Sequence, residues 1–212
     1  MLHDFTEREM EKEFHKDLSH LSWDEVYNRQ KERAFLLPGW LEELDLQPGD
    51  HVLDLGSGPG YMSLRIAEQV GPGGLVYAID RSAEALEYLQ DRMRQESITN
   101  IRCVAAEAST LELHDEHISS VLLTMVLHHA DDPAAVISHL AELLPDGARI
   151  VIAEFYPQSP AQSGPPQAAR IAPEQIVQWC QEAGLQQVGD VRPQSDEHYM
   201  LVVQQRGELK SK

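Results

Sequence analysis

Beyond residue 50 the apolar positions of this chain alternate between two periods. Short apolar runs at 52–55, 75–79, 101–105, 118–125 and 148–155 are bounded by turn residues and read as buried strands. Between them the spacing becomes helical. Leu64, Ile66, Ala67 and Val70 share one face, as do Ala85, Leu86, Leu89 and Met93 behind a capping Ser82. A further helix opens at Asp131-Asp132-Pro133 and runs through Leu144, with its proline in the first turn. Strand and helix in alternation predict a parallel sheet covered on both faces. Residues 156–172 are rich in Pro, Gln, Ser and Gly and read as a loop. A helix follows over 173–183, stopped by Gly184. Runs at 185–191 and 198–204, joined by a turn through Pro193-Gln194-Ser195-Asp196, predict a terminal hairpin that adds an antiparallel strand.

The first fifty residues have a different character. Phe5, Met10, Phe14 and Leu18 trace a thin apolar stripe over 4–20, an amphipathic helix. Ser22 stands three residues before Glu25, a capping-box start to a second helix. That helix is expected to run to Leu37 and stop before Pro38-Gly39, with a short segment over 40–46 leading to the turn Gln47-Pro48-Gly49-Asp50. The expected organisation is a helical cap or arm at 1–47, a sheet domain at 48–206 and a tail at 207–212. Trp23, Tyr27 and Phe14 are available to line a pocket if the helices form a lid.

The candidate chemistry begins where the first strand ends. Gly56, Gly58 and Gly60 alternate with Ser57 and Pro59, then Tyr61 and Met62 open a helix. Glycines there allow a sharp turn and a close ligand approach, at the strand end where open α/β sheets bind ligands. A dinucleotide fingerprint would have its third glycine at Tyr61, and no Lys-Ser/Thr ending marks a phosphate loop. Asp54 lies two residues before the first glycine. A carboxylate beside a pyrophosphate is repulsive, whereas beside a cation it is attractive. S-adenosylmethionine carries an ammonium and a sulfonium and no phosphate. Strand, acid and G-x-G-x-G together resemble the first motif of class I S-adenosylmethionine-dependent methyltransferases.

That resemblance organises the remaining motifs, all at expected strand ends. It implies a Rossmann-like, seven-stranded, mostly parallel sheet with helices on both faces and an antiparallel last strand, preceded here by the helical extension. Asp80 closes the second strand and corresponds to the family's acid for the ribose hydroxyls, with Arg81 beside it. Glu107-Ala108 stands where the family usually has Asp-Ala against adenine, so the side chain is longer here. Thr124 and Met125 end the fourth strand, and Leu127-His128-His129 resembles a run bordering the methionine moiety and the acceptor in many small-molecule members. The implied cofactor set is Asp54, Gly56, Ser57, Gly58, Gly60, Tyr61, Met62, Asp80, Arg81, Glu107, Ala108, Thr124 and Met125. His128 is the candidate acid–base residue, and His129 is expected to be structural. Pro145-Asp146-Gly147 replaces the family's Pro-Gly-Gly turn.

Charge and cysteine content then narrow the partners. The 212 residues carry a formal net charge of −18, which disfavours nucleic acids and anionic membrane surfaces. Cys103 and Cys180 are the two cysteines; neither belongs to a metal-type pair, and Cys103 is expected as a buried thiol. Two distant cysteines argue against the multi-cysteine arsenic-methylating branch, and quinone-biosynthesis enzymes share the motif pattern. No signal-peptide pattern opens the chain, so a cytoplasmic setting is expected. The resemblance implies methyl transfer from S-adenosylmethionine to a small-molecule acceptor by in-line displacement. The sulfonium is already activated, so no metal is called for. The alternative is a non-catalytic module that binds S-adenosylmethionine or S-adenosylhomocysteine and acts through a partner protein.

Overall fold

Apolar runs become strands here because both faces of the sheet are covered. The structure, a computed structural model, describes residues 18, 20–115, 117–159 and 164–206. Nearly all of the helix expected over 4–20, and the tail at 207–212, lie outside the described residues. Strands β1 (His51–Leu55), β2 (Leu75–Asp80), β3 (Ile101–Ala105), β4 (Ile118–Thr124) and β5 (Arg149–Phe155) pair in parallel. Three further strands follow, β6 (Gln186–Gln187), β7 (Arg192–Pro193) and β8 (His198–Gln204). The order is β3-β2-β1-β4-β5-β8-β6, with β8 antiparallel to β5 as the hairpin pattern predicts.

The expected strand over 185–191 is broken. β6 and β7 pair separately with β8, at Val203–Gln204 and at Tyr199–Met200, so together they occupy one edge position. Gly189 between them has φ +72°, which interrupts an extended run. Pro193 lacks an N–H and is tolerated because the strand is at the edge. Among the described residues, eight strand segments thus fill seven positions.

Successive residues along each strand enter opposite cores. Leu53, Leu55, Tyr77, Ile79, Val121 and Leu123 pack with α5 (Pro133–Leu143) and α6 (Pro173–Glu182). Val52, Val76, Ala78, Leu122 and Val151 pack on the other face, against α2 (Leu37–Leu44), α3 (Tyr61–Val70) and Leu89 of α4 (Ala83–Glu96). Before these comes α1 (Trp23–Glu32), whose N-terminus carries the predicted capping box of Ser22 and Glu25.

Pro38 does not stop the helical region. A 3-10 turn over Arg33–Leu36 ends α1, and α2 begins at Leu37 with Pro38 in its first turn, where a missing N–H costs nothing. The segment expected at 40–46 is therefore mostly helix, and it buries Trp40 and Leu44 against the sheet. Cys103 also departs from expectation. It is half-buried because β3 is an edge strand, whereas Cys180 is buried. Among the described residues no helix is long and apolar enough to cross a membrane.

Candidate active site

The C-terminal ends of the parallel strands open into a cleft of about 1090 Å³. Its centre is the glycine loop. The Gly56 and Ser57 N–H groups both donate to the Ile79 carbonyl, at 2.8 and 2.9 Å, which fixes the loop between β1 and β2. Gly56 has φ +75°, and a Cβ there would lie 2.3 Å from Val126 Cγ2. Gly60 begins α3 at φ +83°, where a Cβ would lie 2.3 Å from Leu89 Cδ1. Both positions therefore exclude a side chain by conformation and by space.

Three carboxylates surround this loop. Asp80 Oδ2 accepts the Gly58 N–H at 2.8 Å, and Oδ1 accepts the Ser82 N–H at 2.9 Å. Burial raises the Asp80 pKa against those two bonds, and the charge of Glu107 adds to the rise. Asp54 is buried at the end of β1, where Ser63 Oγ donates to it at 2.5 Å. Burial pushes its carboxyl up to about 7, and the neighbouring Asp80 pushes the same way. A phosphate would add negative charge to this cluster, while a cation would relieve it.

Most of the residues expected from the sequence line the cleft: Asp54, Gly56, Ser57, Gly58, Met62, Asp80, Arg81, Glu107, Ala108, Thr124, Met125 and His128. Gly60 and Tyr61 do not. The Tyr61 ring packs edge-on to Tyr27 at 5.5 Å, behind the loop, with Arg65 over its face at 5.8 Å. Gln30 of α1 was not singled out by the sequence. Its Nε2 donates to the Ser57 carbonyl at 2.9 Å, and its Oε1 accepts the Tyr61 N–H at 3.0 Å. One amide thereby fastens α1 to both ends of the turn. The available signal was its helical spacing from Trp23 and Val26, which also line the cleft.

The other half of the cleft forms around the ends of β4, β5 and β8. Met125 holds a left-handed conformation, φ +58°, and its N–H donates to the Ala153 carbonyl at 2.9 Å. This bend starts the 3-10 turn Leu127–His129. His128 is 6% exposed and Glu154 1%. His128 Nδ1 lies 2.6 Å from Glu154 Oε2. Burial alone would raise the Glu154 pKa, but the His128 charge and hydrogen bonds outweigh it and hold the carboxyl below its ordinary value. The His129 ring lies against that of His128, tilted by 41° with centroids 4.2 Å apart, and lines the same cleft.

Glu154 and His198 were also missed. Glu154 was visible as a lone acid in the apolar run of β5, yet nothing in the run named its partner. The His198 ring packs against Phe155 with centroids 4.6 Å apart, tilted by 46°. Burial, and then the charge of Arg33, push the His198 pKa down to about 4.

Polar atoms without partners test whether S-adenosylmethionine fits. Ser57 Oγ and Trp40 Nε1 are buried with no hydrogen-bond partner among the described residues, and both residues line the cleft. Such atoms are costly unless a ligand or water satisfies them. With three carboxylates, a glycine-rich loop and these unmet groups, the site suits a cationic nucleoside.

Sheet order and cleft define an α/β domain of the nucleoside-cofactor class. A family model described as "Methyltransferase domain" matches residues 46–206, and the chain belongs to that family. The chain is 26% identical over 152 residues to an arsenite methyltransferase of Halobacterium salinarum, covering 72% of this chain and 37% of that protein. It is 35% identical over 116 residues to a 2-phytyl-1,4-naphtoquinone methyltransferase of Synechococcus elongatus, covering 54% and 50%. The chain thus spans half or less of the length of these curated relatives. In fold it is similar to a SAM-dependent methyltransferase from Aquifex aeolicus, with a TM-score of 0.78 and 20% identity, covering 87% of this chain and 99% of that one.

Proposed function

We propose that the chain transfers a methyl group from S-adenosylmethionine to a small-molecule acceptor. The observation that carries this reading is the cluster of Asp54, Asp80 and Glu107 around a glycine loop, in one cleft with the His128–Glu154 pair. Membership in the methyltransferase-domain family supports it.

In this reading each Asp80 oxygen, already holding one N–H, uses a remaining lone pair for a ribose hydroxyl. Glu107 and the Ala108 backbone face the adenine, with Arg81 at its edge. Gly56, Ser57, Gly58 and Met62 form one wall for the methionine part, and Thr124 and Met125 the other. Asp54 provides the negative charge opposite the cationic centre. Gly60 and Tyr61 shape the loop from behind. Bound S-adenosylmethionine supplies a methyl group already activated by its sulfonium.

The chain's own contribution is chiefly positioning. His128 takes the acceptor's proton, with its ring held by Glu154. The net charge of −18 supports a small acceptor over nucleic acid. Two free cysteines support a cytoplasmic setting. The test is incubation with methyl-labelled cofactor and fractionated small metabolites. Label in a new product, with S-adenosylhomocysteine accumulating, supports the reading; no calorimetric binding of S-adenosylhomocysteine would end it.

A further inference from the structure

Around the Phe155 ring two donors lack acceptors among the described residues. The first is the guanidinium of Arg33, which is half-buried and lies over the ring with Cζ 5.8 Å from its centroid. It forms no ion pair among the described residues. Glu32 and Glu154 act on it only from a distance, and Glu154 is engaged with His128. Arg29, exposed one helical turn earlier, adds a like charge and lines the same cleft. Partial burial and that neighbour both work against the charged form of Arg33.

The second donor follows from counting lone pairs. Ser195 Oγ accepts the Glu197 N–H at 3.1 Å and the His198 N–H at 3.2 Å, which uses both of its lone pairs. Its own proton therefore goes to His198 Nδ1, 2.8 Å away. The neutral ring then carries its hydrogen on Nε2, and that atom is buried without a partner.

Arg170 also lies over the Phe155 ring, at 5.1 Å, and Glu197 lines the cleft and acts through its charge on Arg170 and His198. Neither pairs with Arg33 or accepts from His198 Nε2 among the described residues, so a half-buried cation beside Arg29, with a buried orphan N–H one ring away, is an unfavourable arrangement until an anion arrives. It occurs in a chain of net charge −18, where acids to pair with these groups are plentiful. We propose that this patch takes an oxyanionic group, a carboxylate or a phosphate, carried by the methyl acceptor. The proposal rests on the methyl-transfer reading of the cleft.

Position assigns the anion to the acceptor. Phe155 ends β5 and His198 begins β8, while the glycine loop follows β1. β4 lies between β1 and β5, so at a strand spacing of about 4.8 Å the patch is roughly 10 Å or more from the loop. The His128–Glu154 pair sits beside it, with the His128 ring 5.8 Å from Phe155. An acceptor anchored here by its anion would present its far end to His128.

The test uses the full chain loaded with S-adenosylhomocysteine and three probes of similar shape: benzoate, phenyl phosphate and neutral benzamide. Calorimetric titration should show benzoate or phenyl phosphate binding at least about tenfold tighter than benzamide, as a charge-assisted contact requires. Whichever anion binds tighter identifies the group. Arg33→Met should erase the preference and Arg33→Lys should retain part of it, both with unchanged affinity for S-adenosylhomocysteine. No preference in the wild type, or a preference that survives in Arg33→Met, would overturn the proposal. A parallel loss of S-adenosylhomocysteine affinity in Arg33→Met would overturn it too, by assigning the guanidinium to the cofactor's own carboxylate. Should the wild-type chain fail to bind S-adenosylhomocysteine, the methyl-transfer reading falls instead. The same three probes on the ligand-free chain would still decide the role of Arg33.

Discussion

His128 and Glu154 meet twice: Nδ1 lies 2.6 Å from Oε2, and the His128 backbone N–H reaches Oε1 at 3.4 Å. An ionised carboxylate only accepts, so Nδ1 donates, and in the neutral ring Nε2 becomes the basic nitrogen. Glu154 thus selects both the tautomer and the ring orientation, as carboxylate partners of functional histidines do. Replacing Glu154 with Gln keeps the shape and removes the charge. Turnover on an identified acceptor should fall about 10–100-fold, with S-adenosylhomocysteine affinity retained. His128→Ala should cost about a hundredfold or more. Wild-type turnover in His128→Ala would remove the pair from the mechanism, and wild-type turnover in Glu154→Gln would remove the carboxylate's charge from it.

Asp80 is the residue on which cofactor affinity should depend most. It anchors the loop through Gly58 and faces the cleft. Asp80→Ala removes charge-assisted hydrogen bonds worth about 1.5–3 kcal/mol each, so S-adenosylhomocysteine should bind at least about tenfold more weakly. A thermal melt of the ligand-free variant separates lost affinity from lost fold. Unchanged affinity by calorimetry would end the ribose assignment.

Gln30 lines the cleft and supports the same loop through its two bonds to backbone groups. Gln30→Leu fills the space but drops both bonds, to Ser57 and to Tyr61. Each neutral hydrogen bond contributes about 0.5–1.5 kcal/mol, so losing both should weaken affinity by roughly fivefold to a hundredfold. The diagnostic reading is hydrogen exchange at the Tyr61 amide, which should quicken in the variant. Wild-type exchange at that amide would show that α1 does not hold the loop.

The fold was legible because strand and helix announce themselves by period, and because each glycine of the loop faces a local demand. Gly56, Gly58 and Gly60 hold φ of +75°, +54° and +83°, a demand of the turn's own backbone, and a spacing motif captures it. Gln30, Glu154 and His198 were not legible for the opposite reason. Their meaning depends on partners 27 and 26 residues away for the first two, Ser57 and His128. For His198 it depends on Phe155 across the β5–β8 pairing. A lone acid in a strand or an amide on a helix looks alike whether it is solvated or paired, until the sheet order brings the partner. Pro38 misled for a local reason, since a proline that ends one helix is equally at home in the first turn of the next.

Two buried titrations should act on stability in opposite senses. Asp54 is raised in the folded chain to about 7 from 3.8. Its contribution is therefore fully present below pH 3.8 and is lost as the pH rises towards 7. His198 is depressed to about 4 from 6.5. Its contribution is fully present above pH 6.5 and is lost as the pH falls towards 4. Between about pH 4.5 and 6 the two slopes oppose each other, each at most about 1.4 kcal/mol per pH unit. Asp54→Asn should therefore show stability rising more steeply with pH than in the wild type across this window. His198→Phe should tilt the curve the other way. Urea unfolding of the ligand-free chain at pH 4.5, 5.25 and 6 measures both, and taking each variant relative to wild type cancels groups common to all three chains. Curves parallel to wild type in both variants would show that neither group titrates as its burial implies.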